Sequence, residues 1–215
     1  MHNQRRKVAN QKMVPTQKAG RGLLVMSLHM EEREKILRRV GMKCRDFARQ
    51  LSYHRALNRH KRNSGGFNLH FWTTVFNNSI DVAILDWFHL FGYHNDDLHW
   101  KQIVKDISTF RSELLATVGL DEQGWILYRE KIKTYRDKDV AHIEVRPRSW
   151  VPDMAIALKA ADLYYRNVLM ELSLFGDYSS EPTDLLAYCK NSQEQAGNIL
   201  SKAYISTLDM KEEVF

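Results

Sequence analysis

The chain has 215 residues, 44% of them hydrophobic and 11% aromatic, so it can bury a substantial core, and global disorder is excluded. Two cysteines are too few for a disulfide scaffold. Four Pro, ten Gly and long stretches dense in Leu, Ala, Lys, Arg, Glu and Gln predict an all-α fold rather than a turn-rich β sandwich. The net charge of +6 suggests nucleic acid until it is divided along the chain: residues 1–29 hold six basic residues and no acid, residues 31–62 eleven against four, and residues 63–215 fifteen against twenty-two.

Residues 1–22 lack hydrophobic periodicity and are rich in Gln, Asn, Lys and Arg, so residues 1–29 are expected to form a disordered basic tail, with Met26 and Met30 as alternative starts. The remainder, 30–215, is expected to be a single helical domain. A first long helix is predicted over Glu31 to about Lys61, with a stripe of Ile36, Leu37, Val40, Phe47, Leu51 and Leu57. Asn63, Ser64, Gly65 and Gly66 break it. A second helix from about Phe67 to Phe91 is apolar on most faces and should be the central, most buried element, so its polar residues Asn77, Asn78, Ser79, Asp81, Asp86 and His89 need partners or solvent.

A turn at Gly92–Asp97 leads into a third helix over Leu98–Val118, and Gly119–Gly124 forms another break. A fourth helix starts near Trp125 and carries Tyr128, Ile132 and Tyr135 towards Arg136. The segment Arg146-Pro-Arg-Ser-Trp-Val-Pro152 cannot continue a regular helix; a fifth helix restarts at Pro152 and reaches about Phe175, and a sixth covers Pro182 to about Ser206. The expectation is a bundle of five to six helices.

Cys44 and Cys189 lack the paired spacing of a zinc site and read as inert thiols of a reducing compartment. No run approaches the roughly 20 apolar residues of a membrane helix, and Leu23–Met26 is too short for a signal-peptide core, so a cytoplasmic protein with no membrane contact is expected. The basic first helix has two readings. It could present an RNA-facing surface, with Arg45, Arg49, Arg55 and Arg59 as contacts, or its charges could pair within the chain or across a dimer.

Nucleotide-binding, metalloprotease and serine-hydrolase signatures are absent. His89, His94 and His99 stand near Asp96 and Asp97, but spacings of five residues do not gather them on one helical face, and no metal or other cofactor is expected. The sharper feature is Tyr135-Arg136-Asp137-Lys138-Asp139-Val140-Ala141-His142. A guanidinium is permanently charged and can brace a phosphate through two hydrogen bonds, while an imidazole exchanges a proton near neutral pH. Together they form a minimal set for metal-free RNA cleavage. The histidine would take the 2′-OH proton or protonate the leaving oxygen, and the arginine would stabilise charge on the phosphorane-like transition state.

Geometry sets a condition. In a continuous α-helix six positions amount to about 600° of rotation, so Arg136 and His142 would point about 120° apart with a rise of about 9 Å. The helix must therefore end or distort between them, or a second copy must complete the site. On the competing account, Arg136 pairs with Asp139 or another nearby acid and His142 is a packed residue near a helix end.

The string Arg136–His142 resembles the R-x(4-6)-H motif of the HEPN superfamily, including the preference for Asn, Asp or His directly after the arginine, here Asp137. With the apolar helix ending in Leu85-Asp-Trp-Phe-His-Leu-Phe-Gly92, it is similar to the abortive-infection type of HEPN-like protein over roughly residues 40–175. The resemblance implies an up-and-down helical bundle, often homodimeric, with two motifs facing one cleft. It implies a metal-independent endoribonuclease acting in toxin–antitoxin, phage-defence or RNA-processing roles, with an antitoxin or other regulatory protein as a partner. Carried over, Arg136 and His142 are the catalytic positions and Asp137 the adjacent polar one, and Asn78 or Asp81 of the second helix is the further polar residue. Other members of the superfamily serve as non-catalytic binding or dimerisation modules, here through the apolar faces of the second and fifth helices.

Overall fold

Seven α-helices and one π-helical turn account for the regular structure in the computed structural model, which describes residues 16–141 and 151–212, and no strand occurs among them. No described helix is long and apolar enough to cross a membrane. The chain divides into two compact units, residues 1–35 and 36–215. Helix α1 covers Thr16–Ser64, starting earlier than its hydrophobic stripe. In the first unit Lys35 pairs with Glu31 and Glu32 one turn back, at 3.4 and 3.0 Å. Of the expected tail, residues 1–15 lie outside the described residues.

In the second unit α1 buries Leu37, Val40, Cys44, Phe47, Ala48 and Leu51. Ile36, placed in that stripe from the sequence, is exposed at the edge of the stripe, about 70° off the mean direction of Leu37, Val40 and Cys44. The helix runs past the expected end near Lys61 to include Asn63 and Ser64, and stops at the glycines: Gly65 and Gly66 follow it with φ of 76° and 144°, a left-handed region that glycine enters without a Cβ clash.

Helix α2 (His70–Phe91) runs antiparallel to α1, as Lys43 bonds to Asp86 at 2.8 Å and the His54 ring stacks on Phe76 at 4.4 Å. It is central, with Ile80, Ala83, Ile84, Trp87, Leu90 and Phe91 almost wholly buried. Trp87 donates its indole N–H to the Ala157 carbonyl, stacks on Phe91 and meets Trp125 and Tyr128 edge-on. Such an indole stabilises the fold on the order of 3 to 5 kcal/mol, the usual loss on truncation to alanine. The helix is less enclosed than its composition suggests: Phe71, Val82 and Leu85 are exposed. Five of its six polar residues find a partner or solvent. Ser79 donates to the Phe76 carbonyl, Asp86 accepts from Lys43, His89 pairs with Asp96, Asp81 accepts from Tyr135, and Asn78 is exposed.

The predicted third helix is two. Helix α3 is the short Trp100–Ile103 and α4 is Ile107–Val118, separated because Asp106 caps α4. Its carboxylate accepts from the Thr109 N–H and from the hydroxyls of Ser108 and Thr109, which holds its pKa down at about 2. Gly119, in the left-handed conformation, ends α4. Helix α5 (Glu122–Tyr135) begins slightly before the predicted start because Asp121 caps it. Asp153 caps α6 (Met154–Leu172) and Asp184 caps α7 (Leu185–Ile205) in the same way. Helix α5 is antiparallel to α2, and α7 runs alongside α1, with Tyr188 against Arg49 and Tyr204 against His60.

Candidate functional site

At the end of α5 the backbone changes from α to π geometry over Arg136–Ala141, the stretch singled out in the sequence. A π segment has i→i+5 hydrogen bonds, is rare, and occurs frequently at functional sites. The regular α-helix therefore gives way at Arg136, inside the motif. His142 lies outside the described residues, as does most of the proline-bearing break.

Two elements position the Arg136 side chain. Helix α2 supplies the Phe88 ring, whose centroid is 4.0 Å from the guanidinium carbon, and the following turn supplies the Tyr93 ring at 4.9 Å. The two rings meet edge-to-face at 5.1 Å. Arg136 Nη2 donates to the Tyr93 hydroxyl at 2.9 Å, and both Nε and Nη2 donate to Asp137 Oδ1. Lys133, one turn back on α5, holds the other carboxylate oxygen at 3.1 Å. Among the described residues none of these hydrogen bonds engages Arg136 Nη1.

Burial works against the Arg136 charge, but Asp137 and Tyr93 outweigh it and raise its pKa. Burial likewise opposes ionisation of Asp137, and the adjacent Arg136 and Lys133 overcome it, so its carboxyl titrates below the usual range. The result is a fixed, fully ionised Lys133–Asp137–Arg136 cluster on an aromatic platform. Asp81 sits one residue away: it accepts from the Tyr135 hydroxyl at 3.2 Å. Asn78, one turn earlier on α2, is exposed and has no described contact with the cluster.

Phe88 and Tyr93 were not among the residues expected here. Nothing local links them to Arg136, since they lie more than forty positions away. The Lys133–Asp137 pair has the i,i+4 spacing of a helical ion pair and is visible in the sequence.

The basic residues of α1 are differently employed. Arg45 pairs with Glu181, Arg49 donates to the Tyr188 hydroxyl at 3.0 Å, and Arg55 approaches the Cys189 sulfur at 3.7 Å. These three fasten α1 to α7 and to the loop before it, while Arg59 is exposed. Around the turn after α2, His89 Nδ1 lies 2.6 Å from Asp96 and the His94 and His99 rings are 5.0 Å apart. No group of three His, Cys, Asp or Glu side chains among the described residues is arranged to hold a metal ion. Cys44 and Cys189 are both free and buried. Comparison with models of protein families, with curated proteins and with solved structures found no match to this chain.

Proposed function

We propose that the chain is a metal-independent endoribonuclease of the HEPN type, cytoplasmic and dimeric, with Arg136 and His142 as the catalytic pair. The observation that carries this reading is the π-helical turn at Arg136–Ala141, a rare backbone form that recurs at functional sites and coincides with the R-x5-H string. A second support is the preorganised guanidinium: fixed by Asp137, Tyr93 and Phe88, it needs no reorganisation to meet developing charge. In the proposed reaction the ribose 2′-oxygen attacks the phosphorus and the 5′-oxygen leaves, giving a 2′,3′-cyclic phosphate. His142 transfers a proton at one of these oxygens and Arg136 stabilises the phosphorane-like charge. Asp137 positions Arg136. A toxin, phage-defence or RNA-processing role, with an antitoxin or other regulatory partner, belongs to the same reading.

A second reading has its own support. Arg136 is already engaged by a neighbouring acid and two rings, and α2 presents Phe71, Val82 and Leu85 to solvent, as suits a non-catalytic dimerisation or protein-interaction module. Cleavage of total RNA and tRNA in EDTA by wild type, Arg136→Ala and His142→Ala separates the two, once all three show equal folding and oligomeric state. The nuclease reading expects cyclic phosphate ends from the wild type and none from either variant. Equal cleavage by all three would mark a contaminant, and no cleavage by any would favour the interaction module.

A further inference from the structure

An open cleft of about 610 Å³ lies beside the Arg136 turn, lined by Gly92, Tyr93, His94, Asn95, Asp96 and Arg129. Sites for small ligands span roughly 300 to 1,000 Å³, so the cleft has room for one. Tyr93 belongs to both places: its hydroxyl accepts from Arg136 Nη2 at 2.9 Å, and the residue lines the cleft. It is 52% exposed although Arg136 and Phe88 already touch its ring, which leaves aromatic surface open to a flat partner.

Arg129 marks the other end. Seven residues make about two turns, so Arg129 and Arg136 leave the same face of α5 about 10 Å apart. Arg129 donates from Nε to the Phe91 carbonyl and from Nη2 to the Gly92 carbonyl, which fixes its guanidinium against the turn that carries Tyr93. Neither carbonyl neutralises it. Among the described residues no carboxylate pairs with Arg129 or with Lys101, whose ammonium lies over the Trp100 ring, and Glu130 acts on Arg129 only through space. Burial, then Arg111 and Arg129, lower the pKa of Lys101. Other charges nearby are committed: Asp96 to His89 and the Leu98 N–H, and Arg111 to Glu122. Asn95 is exposed and its side chain makes no hydrogen bond among the described residues, so its amide offers both a donor and an acceptor.

We propose that this cleft is the subsite for an unpaired nucleotide beside the scissile phosphate of a single-stranded RNA, an inference that deepens the nuclease reading and rests on it. The base stacks on Tyr93, the Asn95 amide meets its edge, and Arg129 holds the phosphate that neighbours the one at Arg136. Cations that track the backbone, with a ring between them for a base, are how proteins hold single strands. Paired bases are not open to stacking on a side chain, so the site selects single strands over duplexes.

The test is binding of a labelled single-stranded RNA of about 12 nucleotides in EDTA, read by fluorescence anisotropy on full-length His142→Ala, which spares the probe. On that background Tyr93→Ala should weaken binding about tenfold, the worth of one stacked base. Tyr93→Phe, which keeps the ring, should bind within about threefold, a rescue that a merely structural role for the hydroxyl would not give. Asn95→Ala alters an exposed side chain and should weaken binding several-fold. Arg129→Gln should lower the slope of log affinity against log salt by about 0.7, one phosphate contact fewer. Unchanged affinity in Tyr93→Ala or Asn95→Ala, an unchanged salt slope in Arg129→Gln, a duplex bound as tightly as the single strand, or no RNA binding at all overturns the subsite. Equal cleavage rates in wild type and Tyr93→Ala would refute the subsite and leave the nuclease reading standing. Tyr93-dependent binding by a wild type that never cleaves would do the reverse.

Discussion

His99 should make this protein acid-labile, and its replacement should remove a defined part of that lability. The side chain is fully buried at the start of α3, where Nδ1 accepts from the Lys101 N–H at 3.2 Å. Burial first, then the charges of His94, Arg129 and Lys101, push its pKa from the usual 6.5 to about 3. Because the folded-state pKa is depressed, the folded chain stays neutral while the unfolded chain binds a proton below about pH 6.5. The contribution is therefore whole above that value and lost as pH falls towards 3. Each pH unit inside the window costs about 1.4 kcal/mol, so roughly 2 kcal/mol is lost by about pH 5. His99→Asn keeps a capping acceptor but does not titrate. It should be the less stable protein at about pH 7.5, for lost ring volume, with the gap narrowing by about 2 kcal/mol at about pH 5. Urea unfolding at both pH values, with unchanged m, measures the gap. A gap independent of pH would refute the reasoning.

Two further outcomes concern the Arg136 cluster. A Cβ at Gly92 would fall 2.3 Å from both the Phe88 carbonyl oxygen and its ring. Gly92→Ala should therefore cost about 1 to 3 kcal/mol by overpacking and shift the ring under Arg136; a thermal melt unchanged from wild type would contradict this. Asp137→Ala removes a partly exposed carboxylate and should cost under about 1 kcal/mol in stability. On the nuclease reading its cleavage rate should fall about tenfold or more as the guanidinium loses its orientation, and a full rate in that variant would remove Asp137 from the site.

The helices were legible because their signals are local. Hydrophobic spacing found the core line of α1, and glycines marked the ends of α1 and α4. The split between α3 and α4 was missed, because the apolar pattern of Leu98–Val118 runs through it, although Asp106 followed by Ser108 and Thr109 is a cap signal. The exposed side of α2 was not legible. Composition shows that Phe71, Val82 and Leu85 are apolar, but whether another element covers them is decided by packing. At the candidate site the motif and the Lys133–Asp137 pair could be read along one stretch of chain, whereas the Phe88–Tyr93 platform exists only once α2 folds beside α5.

The charge distribution shows why a basic segment needs its partners before it can be assigned a ligand. Four of the acids in the surplus beyond residue 62, Asp106, Asp121, Asp153 and Asp184, cap helix N-termini. A fifth, Glu212, accepts from the backbone N–H groups of His70 and Phe71 at the start of α2. There the negative charge meets the positive end of a helix dipole. On the basic side, Arg45, Arg49 and Arg55 are turned to α7 and the loop before it. Their spacing gathers them on one face, but that face is occupied by the chain's own Glu181, Tyr188 and Cys189. Part of the basic surplus that suggested an RNA footprint thus serves contacts within the chain, and part of the acidic surplus caps its helices. The case for RNA chemistry rests instead on a single well-held arginine at a π-helical turn.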